Sequence, residues 1–186
     1  KKMLTAAQIN SYYNTLQKQQ LGANAADEKK KKLAYDKSIA DTNAEYANDV
    51  TAVNTDKDEQ LQKSYKDRND IVQNNVTQTN RVRDWMAKNN LLRSGENVDA
   101  MLRSNTDLSN NLSANKTSEN SFIKGVSQKL AELLQAKSSK VGDYQLQKTA
   151  LDTNDNENNI INDINAQKTK SLMENQSSTV SSSKSS

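Results

Sequence analysis

Between residues 25 and 88 the apolar side chains return every eleven residues. Ile39, Val50, Leu61 and Val72 hold one register, and Tyr35 and Tyr46 share the spacing four positions earlier. Tyr65 and Val76 repeat it once more. Eleven residues over three turns is about 3.67 per turn, close to a relaxed α-helix, so the stripe stays on one side of an almost straight or slightly right-handed rod. Lys57, Arg68 and Thr79 occupy the register that Tyr35 and Tyr46 begin, which narrows the stripe toward its far end. Glu59 to Lys63 and Asp84 to Lys88 are oriented for i,i+4 pairing. The pattern predicts one long helix with a narrow apolar face.

Ahead of this span, Thr5-Ala6-Ala7-Gln8 forms a capping-box pattern, in which hydroxyl and amide each cover an orphan N–H. Ile9, Tyr12, Tyr13 and Leu16 then mark one face of a short helix, for which Gly22 and Asn24 offer a stop. After it, Asn89-Asn90 and Arg93-Ser94-Gly95-Glu96-Asn97 punctuate the chain. Ser-Gly marks a turn, glycine adopts positive φ at little cost, and Ser94 or Asn97 can cap the next helix. A reversal is expected between Asn89 and Asn97, with Gly95 at or beside it.

The return arm carries a second stripe through Met101, Leu108, Leu112, Phe122, Ile123, Val126, Leu130, Leu133, Leu134, Val141, Tyr144 and Leu151, mostly in steps of three, four and seven. Gly125 and Gly142 weaken this arm by about 1 kcal/mol each relative to alanine without ending it. The polar run 152–159 reads as a fray or break, and Ile160, Ile161, Ile164, Leu172 and Met173 as a last amphipathic helix. The expected fold is all-α: an elongated, coiled-coil-like antiparallel helical hairpin with a short N-terminal helix and a polar C-terminal tail. The expected boundaries are 1–24 for the short helix and linker, 25–176 for the hairpin with its turn near 89–97, and 177–186 for a flexible Ser-rich tail. The helix-packing stripe is expected to comprise Ile39, Val50, Leu61 and Val72 on the first arm, with Leu108, Leu112, Val126, Leu130 and Leu133 on the second.

Composition sharpens this reading. The 186 residues include no proline, cysteine or histidine and four glycines, so little interrupts a helix. Hydrophobic residues are 33% of the chain, against roughly 45–50% in an average globular domain, and the mean hydropathy is -1.00. A large core is out of reach, but narrow stripes shared between helices are not. Disorder of the whole chain competes with this reading, and the regular spacing of the apolar residues argues against it. Two lysines precede the first methionine, Met3, which points to processing or to a longer product.

The net charge is +3 with acids and bases interspersed, which favours solubility over a nucleic-acid footprint. The run Lys29-Lys30-Lys31-Lys32 follows Asp27 and Glu28, which are placed to pair with Lys31 and Lys32 on a solvated face. Contact with phosphate or an anionic surface is the other reading of that run. No stretch approaches the ~18 apolar residues of a membrane span.

Candidate chemistry is sparse. There is no imidazole for acid–base work, no thiol nucleophile and no glycine-rich phosphate loop, so no enzyme, metal or cofactor is expected. Asp56, Asp58, Glu59, Asp67 and Asp70 fall on a helix with no apolar pocket to raise a carboxyl pKa. Asp152, Asp155 and Glu157 approach the spacing of a calcium loop, without its glycine or its bidentate glutamate. The turn stands apart. Trp85, Met86, Leu91 and Leu92, with Ser94 and Gly95, either seal the apex against Val98, Met101 and Leu102 or form a knob that docks a partner.

The string Asn90-Leu91-Leu92-Arg93-Ser94-Gly95-Glu96-Asn97, followed by a long polar helix, resembles helical structural proteins of tailed bacteriophages of low-GC Gram-positive hosts. The resemblance covers roughly residues 85–134. It implies a non-enzymatic virion component at the portal, neck or tail or inside the capsid, localised to the virion. Its partners would be other virion proteins and copies of itself, with no small-molecule substrate, and nucleic-acid contact is not indicated. The alternative is a secreted or partner-bound helical effector segment of a bacterial delivery system, for which a WxG turn is missing. A nucleic-acid organiser is a third reading, disfavoured by the balanced charge.

Overall fold

The computed structural model describes residues 3–152 and 156–184. Three helices account for nearly all of them: α1 (Ala6–Lys88), α2 (Gly95–Asp152) and α3 (Asn156–Lys184). Among the described residues there is no strand, and the fold is an all-α helical hairpin. By internal packing the chain divides into two units, residues 1–42 with 139–186, and residues 43–138.

Helix α1 opens on the expected capping box. The Thr5 N–H donates to Gln8 Oε1 at 2.9 Å, and the Gln8 N–H donates to Thr5 Oγ1 at 3.1 Å. The stop expected at Gly22 and Asn24 does not occur, and the helix runs without interruption to Lys88. Glycine weakens a helix but does not end one unless the backbone turns left-handed, and Gly22 does not. Asn24 instead donates through Nδ2 to Glu28 Oε1 one turn on, at 3.3 Å. The division at residue 24 is therefore not a helix boundary.

The turn is built by asparagine. Asn90 has φ 56°, and no glycine has positive φ. The Leu91 N–H donates to the Met86 carbonyl at 2.8 Å, and the Asn90 N–H donates to that of Ala87 at 3.3 Å. This is a Schellman stop, with Met86 buried and Leu91 half-covered at the two positions whose side chains such a stop brings together. Gly95, expected at the reversal, is instead the first residue of α2.

The C-terminal end also departs from expectation. Residues 153–155, within the expected fray, lie outside the described residues, and the helix resumes at Asn156. It contains the expected amphipathic stretch, with Ile164 only 1% exposed. It then continues through residues 177–184, where a flexible tail was expected. That stretch has no proline or glycine to stop it, and Thr179 Oγ1 donates to the Asn175 carbonyl at 2.8 Å, tying the turn before it.

A Cβ added at Gly22 meets nothing within 4 Å. Gly22→Ala is therefore expected to raise stability by about 0.5–1 kcal/mol, read as a higher urea midpoint by circular dichroism. At the turn, Asn90→Gly should be nearly neutral and Asn90→Val should cost about 1–2 kcal/mol, because a β-branched side chain is strained at positive φ. Equal midpoints for the two Asn90 variants would contradict the Schellman assignment.

Candidate functional site: the packing seam and the turn

In the unit of residues 43–138, the half-covered positions of α1 run Tyr46, Val50, Val53, Lys57, Leu61, Ser64 and Arg68. On α2 the covered positions run Leu108, Leu112, Asn115, Glu119, Ile123, Val126 and Leu130, with Val126 buried and the others half-covered. Both follow the same cycle of four, three, four, so both arms carry the eleven-residue repeat, with three inward lines each. Two lines of α1 are those read from the sequence. The third passes through Val53, Ser64, Asn75 and Met86, and was hidden because two of its members are polar.

Those polar members join the helices. Asn75 Nδ2 donates to the carbonyl of Ser104 at 3.0 Å and to its Oγ at 2.9 Å, and the Thr79 hydroxyl meets the same Oγ at 2.9 Å. One repeat back along α1 and one repeat forward along α2, Asn115 Nδ2 donates to the Ser64 carbonyl at 3.3 Å. The Ser64 hydroxyl donates to Glu119 Oε2 at 2.7 Å, and Arg68 closes on that carboxylate at 3.1 Å. Each such bond contributes only about 1 kcal/mol net, but a shifted pairing would leave its groups unsatisfied. The layers therefore define which residues face each other more than they stabilise the fold.

In the unit of residues 1–42 with 139–186 the contacts are similar in kind. Tyr13 and Ser171 share a hydrogen bond of 2.9 Å, and Tyr35 lies 6.4 Å from Tyr144, ring to ring. Lys148 pairs with Asp36 at 2.7 Å, and Lys32 pairs with Asp152. Of the four-lysine run, Lys31 takes Asp27 at 3.0 Å as expected, but Lys32 crosses to Asp152 and does not use Glu28. The hydrogen bond to Asp27 raises the Lys31 pKa above its usual value, and that to Asp152 does the same for Lys32. Lys29 and Lys30 are exposed.

Most of the expected stripe lies in the seam. Ile39, Val50, Leu61, Leu108, Leu112, Leu130 and Leu133 are half-buried, and Val126 is buried. Val72 is the exception at 41% exposed, and its neighbour Ile71 is the half-covered one. The turn residues divide. Met86 is 5% exposed, whereas Trp85 is 58% and Leu92 44% exposed, so the tryptophan does not seal the apex. Ser94 Oγ donates to the Leu91 carbonyl at 2.6 Å and Asn97 Nδ2 to that of Leu92 at 2.8 Å. Both side chains thus tie the turn's carbonyls, where a cap would have accepted from the N–H groups of α2.

Two grooves flank the seam of this unit. One, of about 390 Å³, is bordered by Gln78, Val82, Glu96, Asp99, Arg103 and Asp107, and the other, of about 180 Å³, by Lys63, Asp67, Ser118 and Phe122. Among the described residues no three acidic, imidazole or thiol groups converge to hold a metal ion, and no helix is long and apolar enough to cross a membrane. Compared with known proteins, the chain matches no family model, no curated protein and no solved structure.

Arg68 and Glu119 have side chains 29% and 15% exposed, so their pair is screened less than one fully in water. A double-mutant cycle of Arg68→Met and Glu119→Gln is expected to give a coupling of about 1 kcal/mol by urea unfolding. A coupling near zero would remove the pair from the seam's energetics.

Proposed function

We propose that this chain is a non-enzymatic structural component of a multi-copy assembly, and that the assembly is a phage virion. The observation that carries the structural reading is the shortfall of burial. Among the described residues only Ile9, Met86, Val126 and Ile164 are buried apolar side chains, while Tyr65, Val76, Trp85, Val98, Leu102, Leu134 and Leu146 are each about half exposed or more. Large apolar side chains left open on helices that already have a partner favour further neighbours. The turn residues 90–97 and the long polar helix after them support the virion as the setting, with portal, tail or capsid proteins as neighbours. The grooves carry charges of both signs.

A chain with so thin a core is expected to be marginal when dilute and to gain helix content on association. Circular dichroism from sub-micromolar to about 100 μM measures this, and a fully helical monomer with a concentration-independent melt would overturn the assembly reading. Mass spectrometry of purified particles from the phage that carries the gene tests the setting. Absence of the chain from such particles would leave the effector alternative.

A further inference from the structure

The two flanks of the seam in the unit of residues 43–138 differ in chemistry. One residue along an α-helix is a rotation of about 100°, so positions just before and just after a seam residue fall on opposite flanks. The positions just before are Lys63, Asp67 and Gln78 on α1 and Asp107 and Ser118 on α2, and these line the two grooves. The positions just after are Gln62, Tyr65, Asn69, Val76 and Asn80 on α1, and Val98, Asn105, Ser109, Ser113 and Lys116 on α2. Of these Lys116 alone carries a charge, and the Arg68 guanidinium lies 6.0 Å from the centre of the Tyr65 ring. Tyr65 is 62%, Val76 52% and Val98 58% exposed, and Val72 and Leu102 beside them are 41% and 59% exposed. In a chain that is 26% charged, this is a strip poor in charge with an apolar spine. Loss of charge around exposed large side chains is the compositional mark of an interface centre.

The strip's ends identify its occupant. On α1 it is bounded by Asp58 on one side and Arg83 on the other, and neither belongs to an ion pair of the described residues. A second copy laid antiparallel brings the partner copy's Arg83 to Asp58 and its Asp58 to Arg83. The same alignment sets Tyr65 against the partner copy's Val76 and Val72 against its Asn69. We propose that the chain forms a two-fold dimer through this strip, α1 against α1 and antiparallel. The proposal rests on the assembly reading and names its first contact. Residues 62–80 span about 27 Å, and two helices each about 10 Å wide make a face of about 540 Å² per copy. The total, about 1,100 Å², sits at the lower limit for a specific interface, so the dimer is weak and reversible, in the micromolar range.

The full-length chain tests this by sedimentation equilibrium. The expected result is a monomer–dimer equilibrium whose dissociation constant rises at least about a hundredfold in Val72→Glu/Val76→Glu, with helix content unchanged in the monomer. Val82→Glu, on the groove flank, should leave it within about twofold. Arg83→Asp should weaken the dimer, and Asp58→Arg in the same chain should restore it. Because the chain has no cysteine, single substitutions report alignment: Asn69→Cys should cross-link two copies, whereas Gln62→Cys, about 26 Å from its mate, should not. Cross-linking through Gln62→Cys, or no rescue by Asp58→Arg, overturns the antiparallel dimer. Association that ignores Val72→Glu/Val76→Glu overturns the strip and leaves the assembly reading standing. A monomer at every concentration overturns both.

Discussion

A helix that meets one neighbour can cover only the part of its circumference that faces it. In this fold that part is three lines of every eleven residues, and the rest of the structure depends on the limit. With so few positions inside, burial among the described residues ends at four apolar side chains, and the seam uses polar groups where a larger protein would place more leucine. The alternation of apolar and hydrogen-bonded layers is the consequence. Leu61 and Leu112 supply attraction without direction, whereas Asn75 on Ser104 and Asn115 on Ser64 supply direction with little net energy.

This division explains why the functional reading turns on neighbours. The seam is thin, and its grooves are bordered by charges of both signs. What the fold has in quantity is surface, and the two flanks of that surface are not alike. One is grooved and charged around Lys63, Asp67 and Asp107, and the other is poorer in charge along Tyr65 and Val76. Such asymmetry gives an assembly a means of orienting its members, since burying one flank strands fewer charges than burying the other.

The helical class, the hairpin and most of the seam were legible in the residues because the eleven-residue spacing and the lack of proline act over long stretches. Local punctuation was harder to read. Gly22 and Gly95 look like breaks in a sequence, yet glycine ends a helix only when the backbone turns left-handed. Here Asn90 does that, helped by the burial of Met86. The line through Ser64 and Asn75 escaped notice because a search for apolar periodicity passes over polar residues that satisfy each other. Its eleven-residue spacing back from Met86 was the available signal. Val72 failed in the opposite sense: its type suited the stripe, and its neighbour Ile71 took the place. The scarcity of charge at Gln62, Tyr65, Asn69, Val76 and Asn80 was equally visible, but acquires meaning only once the grooves show which flank it occupies.

The matching repeats of α1 and α2 also bear on how such a protein could change in length. Both arms cycle with the same eleven-residue period, and their polar layers are spaced by one full period on each. Removing or inserting eleven residues in both arms at the same level would carry every remaining layer onto an equivalent partner, and would change the paired stretch by about 16 Å. Any other increment would turn Asn or Ser to face an apolar line. Length in this fold is therefore a graduated quantity, variable in whole periods and resistant to change between them.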